Sequence, residues 1–240
     1  MKVLVIPDCH LKPHMFYDAD LLMQAGAAQL AVSLMDIPDD WNRQYDLELY
    51  RDTFDAAIHF AKKYPSTLWS YGNHDLSYIW NKEESGYSAA AAYIVREKLK
   101  ELKSVLPSEK QLQYIHLVDH VAFCHGGILD SFVKKVVDQR IYNDVFAVIE
   151  EINQLSEYWM WDNESPLWHR PQYSKGKMYQ SENLLQVVGH TPVETLQREG
   201  NVLSCDVFST YRDGNCIGTQ EFLVLDTVTW TYQGIKREIE

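Results

Sequence analysis

The chain has 240 residues, 46% of them hydrophobic, and a formal net charge of -12 from 22 basic and 34 acidic side chains. That length and apolar content bury a sizeable core, and no Pro/Gly/Ser linker, low-complexity run or repeat divides the chain, so residues 1–240 are read as one domain. The acidic balance excludes a non-specific grip on nucleic-acid backbones, which needs clustered Lys and Arg. No run approaches the ~20 apolar residues of a membrane helix. Cys9, Cys124, Cys205 and Cys216 lack CxxC spacing, and "MKVLVIPDCH" holds too short an apolar run for a signal peptide. The expectation is a cytoplasmic protein with no membrane partner.

Lys2 to Ile6 is a β-branched apolar run and predicts a buried strand ending at Pro7-Asp8. Residues 18 to 31 are rich in Ala and Leu and predict a helix, followed by a strand from Ala31 to Met35 that ends at Asp36. Leu47, Tyr50, Phe54, Ile58 and Ala61 recur at helical spacing between Tyr45 and Tyr64, with Pro65 as the stop. A strand over 67–71 follows. Residues 88–103 predict a helix, 112–117 and 120–124 two strands, and the apolar stripe over 131–157 one or two helices. Strands at 184–188, 202–205 and 222–225 close the pattern. Early alternation of strands with helices and late strands give a layered α/β sandwich.

The ends of these strands share a chemistry. They deliver Asp8-Cys9-His10, Asp36, Asn73-His74-Asp75, His125 with Gly126-Gly127, and Gly189-His190-Thr191-Pro192. Sites in such folds sit at the carboxyl ends of strands, and carboxylate, amide and imidazole together are ligands for divalent cations. Two dications repel and need an anion between them; Asp36, alone on its strand, is the natural bridge. Asp8 and His10 are expected to face one way, as i and i+2 on an extended chain. Gly72, Gly126, Gly127 and Gly189 are expected to let the backbone turn and approach the ions.

"DCH" (8–10), "MDIPD" (35–39), "GNHD" (72–75), "HGG" (125–127) and "GHTP" (189–192) resemble, in order, the motifs of the calcineurin-like metallophosphoesterase superfamily. With "LWHR" (167–170), they are most similar to the phosphoprotein-phosphatase branch, which includes lambda-type phosphatases and symmetrical diadenosine tetraphosphate hydrolases. The resemblance implies a four-layer α-β-β-α sandwich and two divalent metal ions, with Mn favoured and Fe, Zn or Ni tolerated. It puts Asp8, His10 and Asp36 at one ion and Asp36, Asn73, His125 and His190 at the other. His74 is then the general acid for the leaving oxygen, Asp75 orients its imidazole, and Arg170 forks onto phosphate oxygens. The implied reaction is attack on phosphorus by a hydroxide bridging the metals, on a small phosphorylated substrate or a phosphoprotein.

The match departs at the second box, where the pattern reads GDxxDRG. Met35 stands for the first Gly, Asp40 for the Arg and Trp41 for the last Gly. A carboxylate at 40 repels a phosphomonoester dianion; either Arg43 reaches in as a substitute, or the substrate is a monoanionic diester, which keeps a phosphodiesterase or nuclease in play. A non-catalytic scaffold is the third reading, disfavoured because the ligand set and His74 are complete. Cys9 is read as packing and Asp206 as structural. Trp159, Trp161, Trp168 and Tyr173 either line a cleft rim or cover a sheet.

Overall fold

A computed structural model describes residues 1–236. Its centre is two β-sheets face to face. The first has the order β11-β10-β1-β2-β3-β4, with β1 (Lys2–Ile6), β2 (Leu30–Ser33), β3 (Leu68–Ser70) and β4 (Leu112–Gln113) parallel, β10 (Phe222–Asp226) antiparallel to β1, and β11 (Tyr232–Ile235) antiparallel to β10. The second runs β5-β6-β7-β9-β8, with β6 (Val121–Cys124), β7 (Leu185–Val188) and β9 (Val202–Ser204) parallel between β5 (Ile115–Val118) and β8 (Gln197–Glu199).

Alternation along β1 sorts its side chains between two cores. Val3 and Val5 join Val32, Phe123, Leu185, Val187 and Leu203 in the layer between the sheets. Leu4 and Ile6 instead pack with Phe16, Phe54 and Trp69 beneath α1 (His14–Gln24), α2 (Leu47–Lys63) and α4 (Ala92–Val105). On the far side, α5 (Asp130–Val136), α6 (Val145–Ile152) and the short α7 (Glu157–Met160) cover the second sheet through Phe132, Ile149 and Met160. The layers are thus α, β, β, α, as the resemblance implies. A strand buried on both faces reads as a continuous apolar run, which is why β1 was legible.

α2 matches its predicted stripe. Tyr50, Phe54, Ala57, Ile58 and Ala61 are buried, Asp46 caps the first turn by accepting from Leu49 N at 3.3 Å, and Lys62 and Lys63 sit in the last turn, where cations favour the helix dipole. Elsewhere boundaries move. α1 starts at His14 directly after Pro13 and gives way to Gly26 in the left-handed region (φ +73), so it lies ahead of the predicted 18–31. The predicted strand 112–117 is two strands in different sheets. Between them, Asn153 Oδ1 accepts from Tyr114 N (3.1 Å) and Ile115 N (3.0 Å), replacing the ladder partners lost at the crossing. The 131–157 stripe is broken into separate helices. β8 and β11 were not foreseen, because both are polar or exposed sheet edges without an apolar run.

Two polar bonds stitch the sheets together. Ser70 Oγ donates to Phe123 O at 3.2 Å, and His116 Nε2 lies 2.9 Å from Trp69 O, the geometry of an N–H donor. His116 is 4% exposed. Burial disfavours its charged form and outweighs the bond to Trp69, pulling its pKa down to about 4. The unfolded chain takes up this proton near its ordinary pKa of ~6.5 and the folded chain does not. Stability from neutral His116 is therefore fully present above ~6.5 and falls as pH drops towards ~4, by on the order of 3 kcal/mol. Urea unfolding at about pH 7 and about pH 5 should show a larger acid loss for the wild type than for His116→Gln; parallel losses would remove His116 as the cause.

Candidate metal centre

The loops that leave β1 and β2 remain paired beyond the strands: Cys9 N donates to Met35 O (3.0 Å), His10 N to Asp36 O (2.8 Å) and Leu11 N to Ile37 O (2.9 Å). Here the chain is not extended. His10 (φ 43), Leu11 (φ 56), Met35 (φ 54) and Asp36 (φ 40) all take left-handed backbone. His10 is therefore aimed by this turn and not by i, i+2 alternation, and its Nδ1 sits 3.0 Å from Asp39 O. Cys9 is buried in the helix-side core, away from the ligands, as packing requires.

After β3 the chain enters α3 (Asn73–Trp80) at once, so Asn73-His74-Asp75 is the first turn of a helix. Asn73 Nδ2 donates to Glu84 Oε2 at 2.7 Å, which turns its Oδ1 towards His125. The loops after β6 and β7 bring in His125 and His190. His125 Nε2 lies 2.8 Å from Asn73 Oδ1, 3.0 Å from His190 Nδ1 and 3.2 Å from Asp36 Oδ2. Four atoms with lone pairs thus converge, with separations near the ~3 Å edge of an octahedron of ~2.1 Å bonds. One proton on His125 satisfies a single neighbour; a cation among them satisfies all four.

Among the described residues, two clusters have the reach to hold an ion, His10-Asp36-His74 and Asp36-His125-His190, and Asp36 belongs to both. Asp36 is 1% exposed, and its Oδ1 accepts from His74 N at 2.9 Å. Three buried polar atoms at the centre lack any hydrogen-bond partner: Asp8 Oδ1, His125 Nδ1 and His190 Nε2. Native interiors seldom leave such groups unpaired. The converging oxygen and imidazole donors and the orphaned Asp8 Oδ1 fit divalent cations; the two orphaned ring nitrogens are the ones turned away from that convergence. Asp8 stands slightly apart. It is fully buried, its Oδ2 accepts from His190 N (2.7 Å) and lies 3.8 Å from His125 Nδ1, and the first cluster forms without it.

The charges follow from burial and crowding. Burial and the neighbouring Asp206 raise the Asp8 pKa well above the carboxylate range. Burial also acts against the charge of Asp36, yet His125 and His74 beside it drive its pKa far down. Against burial, Asp36 and Asp8 lift His125 to about 9, and Asp36 with the Asp39 hydrogen bond lifts His74 to about 10. Desolvation pulls His10 down to about 4 and His190 well below the imidazole range. Protons crowd around Asp36 because that buried anion needs positive charge.

The expected pairing of Asp75 with the His74 ring is not what the chain adopts. Asp75 Oδ2 accepts from Asp36 N (2.9 Å) and Gly72 N (3.0 Å), and Oδ1 from Ile37 N (3.2 Å), so it braces the Asp36 loop and caps α3. Asp39 holds the ring instead: His74 Nδ1 lies 3.0 Å from Asp39 Oδ2, while Asp39 Oδ1 accepts from Tyr50 and Tyr78 hydroxyls at 2.6 and 2.5 Å. The glycines also work differently from expectation. None of Gly72, Gly126, Gly127 and Gly189 takes positive φ. A Cβ on Gly72 would lie 1.8 Å from Asp36 Oδ1, and one on Gly189 1.9 Å from Asp8 Oδ1. They are needed for the absence of a side chain, not for turning.

A cleft of about 370 Å³ opens over these groups, lined among others by His10, Asp36, His74, Arg170 and His190. Arg170 Nη1 donates to His190 O and, at 3.2 Å, to Thr191 Oγ1. Arg43 does not reach in; it is exposed and pairs with Asp46. Asp40 is answered instead by Lys12, whose Nζ lies 3.4 Å from Asp40 Oδ2 and is largely buried. Asp206 lies in the cleft wall and accepts from Ser209 Oγ at 2.8 Å. The tryptophans divide: Trp168 packs edge-on against His190 and Trp161, and Trp161 and Trp168 cover the second sheet's core. Glu84 and Lys12 escaped sequence reading, since neither sits in a motif.

The calcineurin-like phosphoesterase family model matches residues 1–208. No curated protein matches the chain by sequence. Among solved structures, a cold-active protein tyrosine phosphatase from a psychrophilic Shewanella species is 17% identical with a TM-score of 0.56, covering 98% of this chain and 80% of that one. A second structure of a cold-active protein tyrosine phosphatase, at 18% identity, has a TM-score of 0.54 with 97% and 78% covered. At such identities the likeness is one of fold. No helix of the described residues is long and apolar enough to cross a membrane. By the match over most of its length, the chain belongs to the calcineurin-like phosphoesterases, metal-dependent hydrolases of phosphate esters.

Proposed function

We propose that this chain is a dinuclear phosphomonoesterase. The observation that carries the reading is Asp36, a buried carboxylate common to two clusters of metal-capable side chains on the floor of one cleft. Asp36 with His10 and Asp8 would hold one divalent ion, and Asp36 with Asn73, His125 and His190 the other; manganese, iron, zinc and nickel all suit such donors. When bound, the ions supply Lewis acidity that activates water near neutral pH and balances charge on phosphoryl oxygens.

The chain's own groups do the rest. Asp39 engages Nδ1 of His74 and leaves Nε2 to donate a proton to the departing oxygen. Two tyrosine hydroxyls on its other oxygen hold Asp39 in place. Arg170, anchored to the His190 loop, presents its remaining N–H groups to phosphate oxygens. The Lys12–Asp40 pair offsets the carboxylate that stood against a dianionic substrate, so a monoester leads over a diester. The substrate is a small phosphorylated molecule or a phosphoprotein.

The purified protein loaded with manganese should turn over nitrophenyl phosphate and leave bis-nitrophenyl phosphate nearly untouched. Preference for the diester would replace this reading with a phosphodiesterase, and silence on both with metal bound would leave a scaffold. His74→Ala should slow alkyl phosphates about a hundredfold and nitrophenyl phosphate much less, because nitrophenolate departs without a proton; equal losses would deny His74 the acid role. Gly72→Ala forces a methyl group onto the bridging carboxylate. Elemental analysis should find it with less than half the wild-type metal while circular dichroism keeps the native fold; full metal content would show that Asp36 is not a shared ligand.

A further inference from the structure

Part of the cleft wall is made from Asp40 and Trp41, at the end of the second motif box, and from residues 210–212, which no motif covers. Trp41 stands where the family pattern carries glycine, and the residue is 40% exposed. Its Nε1 donates to Thr210 O at 3.0 Å, Asn42 Nδ2 donates to Arg212 O at 3.0 Å, and Thr210 Oγ1 donates to Asp40 Oδ1 at 3.0 Å. These bonds tie residues 40–42 to residues 210–212. The Arg212 guanidinium lies 4.8 Å from the centre of the Trp41 ring, in cation–π contact. A guanidinium in cation–π contact keeps N–H donors for a further partner.

Both arginines that line the cleft, Arg170 and Arg212, are without a carboxylate partner among the described residues. Arg51, Arg96 and Arg198 share that lack; what sets Arg170 and Arg212 apart is that both border the cleft over the candidate metal centre. The two are anchored separately, Arg170 on the His190 loop and Arg212 on Trp41. A single phosphoryl group at the metal centre engages the first. The cleft volume of about 370 Å³ falls in the range that encloses a small-molecule ligand, so it has room for a substrate beyond its phosphate.

We propose that Arg212, held against Trp41 by a cation–π contact, is a specificity-determining residue that binds a second anionic group, carboxylate or phosphate, on the leaving-group side of the substrate. The inference rests on the phosphoesterase reading and narrows it to doubly anionic small phosphate esters. Residue 212 acts on recognition of the leaving group and not on the attack at phosphorus.

The test compares two esters of one shape, para-nitrophenyl phosphate and para-carboxyphenyl phosphate, on the manganese-loaded full chain. Arg212→Ala should raise KM for the carboxyphenyl ester about tenfold more than KM for the nitrophenyl ester, the loss of one charge-assisted hydrogen bond, with similar effects on the two kcat values. Arg212→Lys should recover part of the selective loss, which repair of a merely structural defect would not do in one substrate alone. Equal rises for both esters, or no rise for either, overturn the proposal. A wild-type protein inert to both with metal bound instead fails the phosphoesterase reading, and the inference falls with it.

Discussion

Asp36 is a carboxylate buried to 1% exposure with Asp8, Asp39 and Asp75 buried around it and Asp206 raising the charge density further. A group of that kind is tolerated in a protein interior only if positive charge stands beside it. Without ions the requirement falls on protons, which is why His74 and His125 are pushed above the ordinary imidazole range, while burial, and then the neighbouring His125, pushes His190 below it. Cations between these groups offset the same charge without protonating the bases. The metal chemistry of the family is thus the relief of an electrostatic load that the fold itself creates.

The turns that shape the candidate metal centre have a backbone cost. His10, Asp36, Asp39 and His190 all lie at positive φ, a region that costs non-glycine residues on the order of 1–3 kcal/mol each. The strain persists because the flanking strands over-determine it: the pairing of residues 9–11 with 35–37, and the three backbone donors gathered by Asp75, leave these turns no alternative path. Asp75 is therefore a structural keystone and not the partner of the His74 imidazole that the motif had suggested. Asp39, stabilised by two tyrosines brought in from α2 and α3, is the residue that meets His74.

The departure at position 40 also resolves at the level of packing. Exchanging a phosphate-binding guanidinium for a carboxylate reads as a loss of function in the linear motif. In space, Lys12 answers Asp40, Thr210 ties it to the far loop, and Trp41 fills the place of a glycine and supports Arg212 at the cleft mouth. Positive charge has moved from the motif to two loops that share no pattern with it.

The layered fold and the candidate donor residues were legible in the linear chain because each signal is local: doubly buried strands make unbroken apolar runs, and oxygen and imidazole side chains stand directly at their ends. β8 and β11 were not legible, since edge strands facing water carry no such run. Neither was the break at Tyr114, which depends on an asparagine thirty-nine residues away. The partners of His74, Asn73 and Asp40 were decided only by tertiary structure, because Asp39, Glu84 and Lys12 meet them across turns whose geometry no spacing encodes. The chain alone determined which atoms can bind a cation; only folding decided which of them face one another, since that depends on distances between loops and not on order along the backbone.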